Sequence, residues 1–224
     1  MPLALFDLDR TLISVNSGKL WVQSELELGF VSRWQALRAA AWIGGYHLGF
    51  TRLEQVILDA IATLEGATEE EIRARTDRFY AARVAGTYRP LARDVVSRHR
   101  EAGDVVALLT SSSNYLCAPV QTELGIEHAL CNRFEVVDGH FSGKPEGPVC
   151  FGPGKLVHAE ALAQALGLPL GEASFYTDSI SDLPVLEAVR TPVAVNPDPR
   201  LRRLALRRGW AIVDWGEPPL PPAA

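Results

Sequence analysis

Several things are scarce in this chain. It has three cysteines, Cys117, Cys131 and Cys150, an odd count with no metal-type spacing. That excludes a disulfide framework and argues against a zinc module, so the thiols read as reduced, buried groups of a cytoplasmic protein. The five histidines show no metal spacing either. Positive charge is not in excess: the net charge is −5. Nucleic acid is therefore not expected as a partner, because phosphate backbones are held by clustered Lys and Arg. The basic cluster Arg200, Arg202, Arg203, Arg207 and Arg208 reads as a solvated helix face. Stable membrane insertion is not expected, since the longest uncharged stretch, Ala39 to Phe50, is short and interrupted by Gly44 and Gly45. The N-terminus lacks the charged-then-apolar pattern of a signal peptide. Internal repeats are absent.

What is present is a rhythm of short apolar runs and helical stretches. Residues 2–8 form an apolar run ending in acid, which reads as a buried parallel strand. Similar runs lie at 104–110, 173–177 and 191–195, with a further edge strand at 210–214. Helical patterns at about 90–101, 115–124, 154–166, 181–189 and 198–208 separate them, and Gly103, Gly125, Gly167 and Gly209 stand where helices should stop. This alternation implies an α/β fold, a doubly wound parallel sheet. Residues 14–85 break the rhythm. They hold no strong strand and read as several helices with turns near Gly29, Gly44–Gly45 and Gly66, inserted after the first strand. The expected division is a core of 1–13 and 86–216, a helical cap of 14–85, and a loose Pro- and Ala-rich tail of 217–224. Asp138-Gly139 between Phe134–Val137 and His140-Phe141 signals a hairpin.

The strand ends carry the chemistry. Asp7 and Asp9 flank Leu8, so strand alternation sends both carboxylates to one cleft. In open α/β sheets, ligands bind at the carboxyl ends of strands. The second run ends in Thr110-Ser111-Ser112-Ser113, the third leads to Asp178 with Asp182 four residues on, and Lys155 follows Gly152-Pro153-Gly154. Crowded carboxylates need a cation, and oxygen-only ligands select a hard ion such as Mg²⁺. A carboxylate nucleophile, a second acid to protonate the leaving oxygen, a lysine and hydroxyl donors together suit phosphoryl transfer.

Phe6-Asp7-Leu8-Asp9-Arg10-Thr11-Leu12 resembles the first motif of the haloacid dehalogenase-like (HAD) hydrolases. Leu108-Leu109-Thr110 is similar to their second motif, Lys155 to the third, and Tyr176–Asp182 to the fourth. The insertion after the first motif resembles the cap of the phosphoserine-phosphatase-like branch. The resemblance implies a Mg²⁺-dependent phosphatase acting on a small phosphorylated metabolite. Asp7 would be the phosphorylated nucleophile and Asp9 the acid–base. Asp7, Asp178 and the Asp9 carbonyl would hold the metal, with Asp182 orienting Lys155 or a water. Thr110 and the amides of Leu8, Asp9 and Ser111 would hold the phosphate, with Lys155.

Three departures bear on the substrate. Asn16 stands where phosphoserine phosphatases carry a glutamate for the substrate amine, and is expected to touch substrate or form a turn. Leu58 stands where they carry an arginine for the carboxylate, with Arg52 nearby. Ser111-Ser112 replaces their Gly-Gly. A zwitterion without either anchor would bury unpaired charge at a cost of several kcal/mol by order of magnitude, so phosphoserine is not the expected substrate. The aromatic set Trp21, Trp34, Trp42, Tyr46 and Phe50 reads as cap core, or else as a partly apolar pocket. Alternatives are a phosphotransferase to an alcohol acceptor, a phosphoserine phosphatase, or a phospho-accepting receiver-like module, which would need no second acid and no insertion. A homodimer is left open.

Overall fold

The computed structural model describes residues 1–29 and 53–218. Six parallel strands form one sheet in the order β3-β2-β1-β6-β7-β8. They are β1 (Leu3–Phe6), β2 (Val105–Ser113), β3 (His128–Asn132), β6 (Ser174–Thr177), β7 (Thr191–Val195) and β8 (Ala211–Val213). The chain runs outward from β1 to β3, then returns across to β6 and runs outward again. The order therefore reverses beside β1, and the crevice at such a reversal is where open α/β sheets bind ligands.

Alternation along β1 explains the layering. Leu3 and Leu5 face one side, with Ala107, Leu109, Phe175 and Ala194; Ala4 and Phe6 face the other, with Val106, Leu108 and Val193. Helices α4 (Ala92–Glu101) and α5 (Asn114–Leu124) cover the Phe6 side, while α6 (Pro153–Leu166), α7 (Leu183–Ala188) and α8 (Pro199–Arg208) cover the other. Both faces of the sheet are thus dry, which is why its strands read as continuous apolar runs. The Phe6 ring stacks on Tyr176 at 4.6 Å, tying β1 to β6 next to Asp7. Gly125 and Gly167 end their helices at φ 62° and 65°, a left-handed conformation that glycine adopts without strain.

The expected doubly wound sheet is what forms, and the expected strands and core helices appear within a few residues of their positions. Strand β3 was not expected. His128-Ala-Leu-Cys-Asn is short, polar at both ends and at the sheet edge, so periodicity does not mark it. Between β1 and β2 lie α1 (Ser17–Glu27), α2 (Leu53–Ala62) and α3 (Glu69–Phe79), followed by a π-helical turn at Tyr80–Val84. Gly29 and Gly66 are turns at φ 78° and 80°, as expected, and Gly44–Gly45 lie outside the described residues. Trp21 packs edge-on against Phe79 at 5.2 Å; Trp34, Trp42, Tyr46, Phe50 and Arg52 are outside the described residues.

The hairpin β4 (Phe134–Val137) and β5 (His140–Pro145) turns at Asp138-Gly139, both at positive φ. It joins the inserted helices rather than the main sheet: Phe141 exchanges backbone hydrogen bonds with Gly66 and Ala67, and packs with Ile72 and Tyr115. Near the end of the described chain, Arg89 donates to the Gly216 carbonyl at 2.6 Å and pairs with Glu217. No described helix is long and apolar enough to cross a membrane.

Candidate active site

Asp7 is the first residue past β1. Its N–H donates to the Tyr176 carbonyl at 2.9 Å, so the sheet carries it to the crevice edge. The chain then turns sharply through Arg10, at φ 57°. The turn is pinned by Arg10 N–H to Val15 O at 3.0 Å and by Arg89 Nε to Arg10 O at 3.0 Å. This brings Asp9 to the start of α1, where the Ser17 N–H donates to Asp9 Oδ1 at 2.8 Å. A carboxylate at a helix N-terminus is favourably placed in the field of the free amides.

Lys155 comes from the first turn of α6. Lys155 is 3% exposed, and its ammonium donates to Asp7 Oδ1 and Asp182 Oδ2, both at 2.8 Å. The Gly152-Pro153-Gly154 approach has a steric reason: a Cβ on Gly154 would lie 2.0 Å from the Val149 carbonyl. Asp182 also accepts from Thr177 Oγ1 at 2.7 Å. Asp178 is the first residue past β6, where its N–H donates to Thr11 Oγ1 at 3.0 Å and its carbonyl accepts from Asp198 N–H at 2.8 Å. The structure thus brings together Asp7, Lys155 and Asp182 by direct contact, with Asp178 and Asp9 close enough to act on the same charges.

The electrostatics are unbalanced. Burial pushes the Asp7 carboxyl up to about 7; Lys155 draws it down, while Asp182 and Asp9 push it further up. Burial also raises Asp9, against hydrogen bonds from Ser17. Asp178 is raised well above the carboxylate range by burial, then by Asp7 and Asp182. Burial works against the Lys155 charge, but Asp182 and Asp7 outweigh it and raise its pKa. Against four carboxylates stand the Lys155 ammonium and, acting on Asp9 and Asp178, the Arg10 guanidinium, so negative charge is in excess. Among the described residues, no three His, Cys, Asp or Glu side chains converge as a ready metal cage. Two carboxylates plus a main-chain carbonyl is the sparser donor set that Mg²⁺ accepts, since it retains several waters.

The remaining expected residues fall as follows. Thr110 is buried inside β2, just past its regular pairing with β3, and its Oγ1 accepts from the Ser112 N–H at 3.2 Å. The Ser111 carbonyl accepts from Asn132 Nδ2 at 2.6 Å. Leu8 is buried in the core, and its carbonyl accepts from the Thr11 and Ile13 N–H groups at 3.3 and 3.1 Å. Asn16 is exposed and caps α1, its Oδ1 accepting from Lys19 N–H at 2.8 Å; its hydrogen bonds do not reach the acids. Leu58 lies half-buried on α2. Ser17, Asn132, Thr177 and Asp198 were not anticipated. The sequence signal for Ser17 was its place directly after a capping Asn; Asn132 and Asp198 act through contacts between distant segments, and Thr177 through a local bond to Asp182. Two open clefts of about 350 and 540 Å³, beside Arg93 and beside Arg202, contain none of the acids or Lys155.

The haloacid dehalogenase-like hydrolase family model matches residues 4–187, which contain Asp7, Asp9, Thr110, Lys155, Asp178 and Asp182. The chain belongs to the HAD family. A solved structure from Bordetella pertussis Tohama I, of a protein with unknown function, is 34% identical with a TM-score of 0.88, covering 96% of this chain and 98% of that one. Phosphoserine phosphatase SerB1 of Mycobacterium tuberculosis is 38% identical over 156 residues, 70% of this chain. The match spans about half, 51%, of that relative's length. Histidinol-phosphatase of Neisseria meningitidis serogroup C is 29% identical over 218 residues, 95% of this chain and 98% of its own. With SerB1 among its relatives, this HAD chain sits in the phosphoserine-phosphatase-like branch.

Proposed function

We propose that this HAD chain is a cytoplasmic, Mg²⁺-dependent phosphomonoesterase, with residues 1–13 and 86–216 as catalytic core and 14–85 as a helical cap. The observation that carries the reading is the buried Lys155 ammonium, 2.8 Å from both Asp7 and Asp182, at the sheet's reversal point. Lys155 fixes one Asp7 oxygen and leaves the other to attack phosphorus. The bond from phosphorus to the leaving oxygen breaks as an aspartyl-phosphate forms on Asp7. Asp9 protonates that oxygen and then deprotonates the water that releases phosphate. Thr110 and the amides of Leu8, Asp9 and Ser111 hold the phosphoryl oxygens where charge builds up. Asp7, Asp178 and the Asp9 carbonyl would hold Mg²⁺, which supplies positive charge to nucleophile and phosphate alike.

The substrate we infer is a small phosphomonoester other than phosphoserine. Asn16 is committed to a helix cap and Leu58 is apolar, so neither pairs with a zwitterion. A substrate without a carboxylate suits this site, and the relative named histidinol-phosphatase, matched over 98% of its length, supports that direction. The test is p-nitrophenyl phosphate turnover with and without Mg²⁺, followed by a panel of histidinol phosphate, phosphoserine and sugar phosphates. Expected are Mg²⁺-dependent turnover, its loss in Asp7→Asn, and phosphoserine among the poor substrates. Turnover unchanged in Asp7→Asn overturns the mechanism, and phosphoserine emerging as best substrate by a wide margin overturns the substrate reading. Transfer to added alcohols in place of water would identify a phosphotransferase.

A further inference from the structure

Strand β2 leaves its regular pairing where the phosphate is to be held. Leu109 pairs with Leu130, and the next pair is Ser113 with Asn132. Thr110, Ser111 and Ser112 therefore stand opposite Cys131 alone, a bulge that lifts this segment out of the ladder. Bulges beside active sites re-aim side chains, and they leave backbone groups that need other partners.

Asn132, 3% exposed, supplies that partner. Its Nδ2 donates to the Ser111 carbonyl at 2.6 Å and its Oδ1 accepts from the Cys150 N–H at 2.8 Å. One orientation of the carboxamide satisfies both bonds, and the flipped one satisfies neither. The peptide between Ser111 and Ser112 is planar and trans, so holding its carbonyl toward Asn132 points its N–H the opposite way. That N–H meets Thr110 Oγ1 at 3.2 Å. With one lone pair of the Thr110 hydroxyl so engaged, its hydrogen is the group left to donate. Through Cys150 the same carboxamide holds the loop that leads into Gly154 and Lys155.

We propose that Asn132 is a positioning residue for phosphoryl transfer: by fixing the Ser111–Ser112 peptide, it aims the Thr110 hydroxyl at a phosphoryl oxygen. This rests on the phosphatase reading given above. The aim matters most for the trigonal transition state, because charge on the equatorial oxygens grows there.

The test compares binding of vanadate, a mimic of that state, with binding of inorganic phosphate, by calorimetry in Mg²⁺ buffer. Asn132→Asp keeps the acceptor for Cys150 but loses the donor to Ser111 and repels its carbonyl. Both Asn132→Asp and Asn132→Ala are expected to lose vanadate affinity on the order of a hundredfold, the low end for a lost oxyanion donor, with phosphate affinity far less changed. kcat for p-nitrophenyl phosphate falls with vanadate affinity while KM holds. Thr110→Val keeps the tether and should show the same selective loss, with no added effect from Asn132→Asp. Equal loss of both anions in the Asn132 and Thr110 variants, or a wild-type ratio in Asn132→Asp, overturns the proposal. A wild-type protein that shows this binding pattern without turnover overturns the phosphatase reading but supports the role of Asn132. Should the Asn132 variants fail to fold, Thr110→Val alone still decides, since an unchanged vanadate-to-phosphate ratio there overturns the aiming of its hydroxyl.

Discussion

Without a divalent cation, Asp7 should weaken the fold as the pH rises, and Asp7→Asn should remove that loss. The carboxyl is 6% exposed, and burial lifts its pKa from 3.8 to about 7. The fold therefore favours the protonated form. Below pH 3.8 the group is protonated in both folded and unfolded chains and has no effect on the balance. As pH rises the unfolded chain ionises first, so stability falls steadily until Asp7 itself ionises near pH 7, and the loss is then constant. The full gap corresponds to about 4 kcal/mol, and relaxation of the site brings the expected loss to about 2–4 kcal/mol. Asp9 and Asp178 are also raised and add slope to both proteins; because Asp7 is itself one cause of the Asp178 shift, the difference between wild type and Asp7→Asn reports position 7 together with its coupling to Asp178. Urea unfolding in EDTA, at intervals from pH 4.5 to 8, measures it. The stability of Asp7→Asn relative to wild type should climb by about 1–3 kcal/mol across that window, since part of the loss falls below pH 4.5. Mg²⁺ added at pH 8 should stabilise the wild type by mass action on the folded state. A flat difference, or one that favours the wild type as pH rises, would refute the view that this carboxylate is held short of positive charge.

Three further outcomes are expected. Lys155→Met removes the shared partner of Asp7 and Asp182 and should destabilise the cation-free protein by about 3–5 kcal/mol, the penalty for breaking a buried ion pair from one side; denaturant titration checks it, and turnover should fall at least a hundredfold, as for loss of a preorganised charge. Gly154→Ala places a methyl 2.0 Å from the Val149 carbonyl and should lower Tm sharply or prevent folding, while Gly171→Ala, with nothing within 4 Å of the added carbon, should leave Tm within a few degrees. Asp182→Asn weakens the hold on Lys155 while keeping an acceptor for Thr177, so kcat should fall more than KM rises; steady-state kinetics with p-nitrophenyl phosphate tests this.

The parts of this site that were legible in the sequence are those written locally. Asp7 and Asp9 follow an apolar run, Lys155 follows a glycine loop, and Asp178 and Asp182 follow another run, so strand ends and helix starts locate them. The dry sheet made β1, β2, β6 and β7 readable as continuous apolar segments. Strand β3 was not readable, because an edge strand with His128 and Asn132 at its ends has no apolar periodicity. Losing β3 also hid the bulge opposite it, and with it Asn132. Asp198 was missed because its bond to the Ile180 N–H joins two segments that no local pattern links. Ser17 carried one local sign, its place after Asn16, but its bond to Asp9 spans a turn. Thr177 bonds Asp182 inside the Tyr176–Asp182 motif, which located it without showing its job. Asn16 shows the converse case. Motif spacing pointed it at substrate, while its local place before a helix gave it a capping job.

The most direct measurement of the central claim is the site of phosphorylation during turnover. The enzyme would be quenched in acid while hydrolysing a phosphomonoester with Mg²⁺, digested, and its peptides sequenced by mass spectrometry. A phosphoryl group on Asp7, removed by hydroxylamine as an acyl phosphate is, is the predicted result. Turnover with Asp7 unmodified throughout, or with the phosphoryl group on another residue, would contradict it.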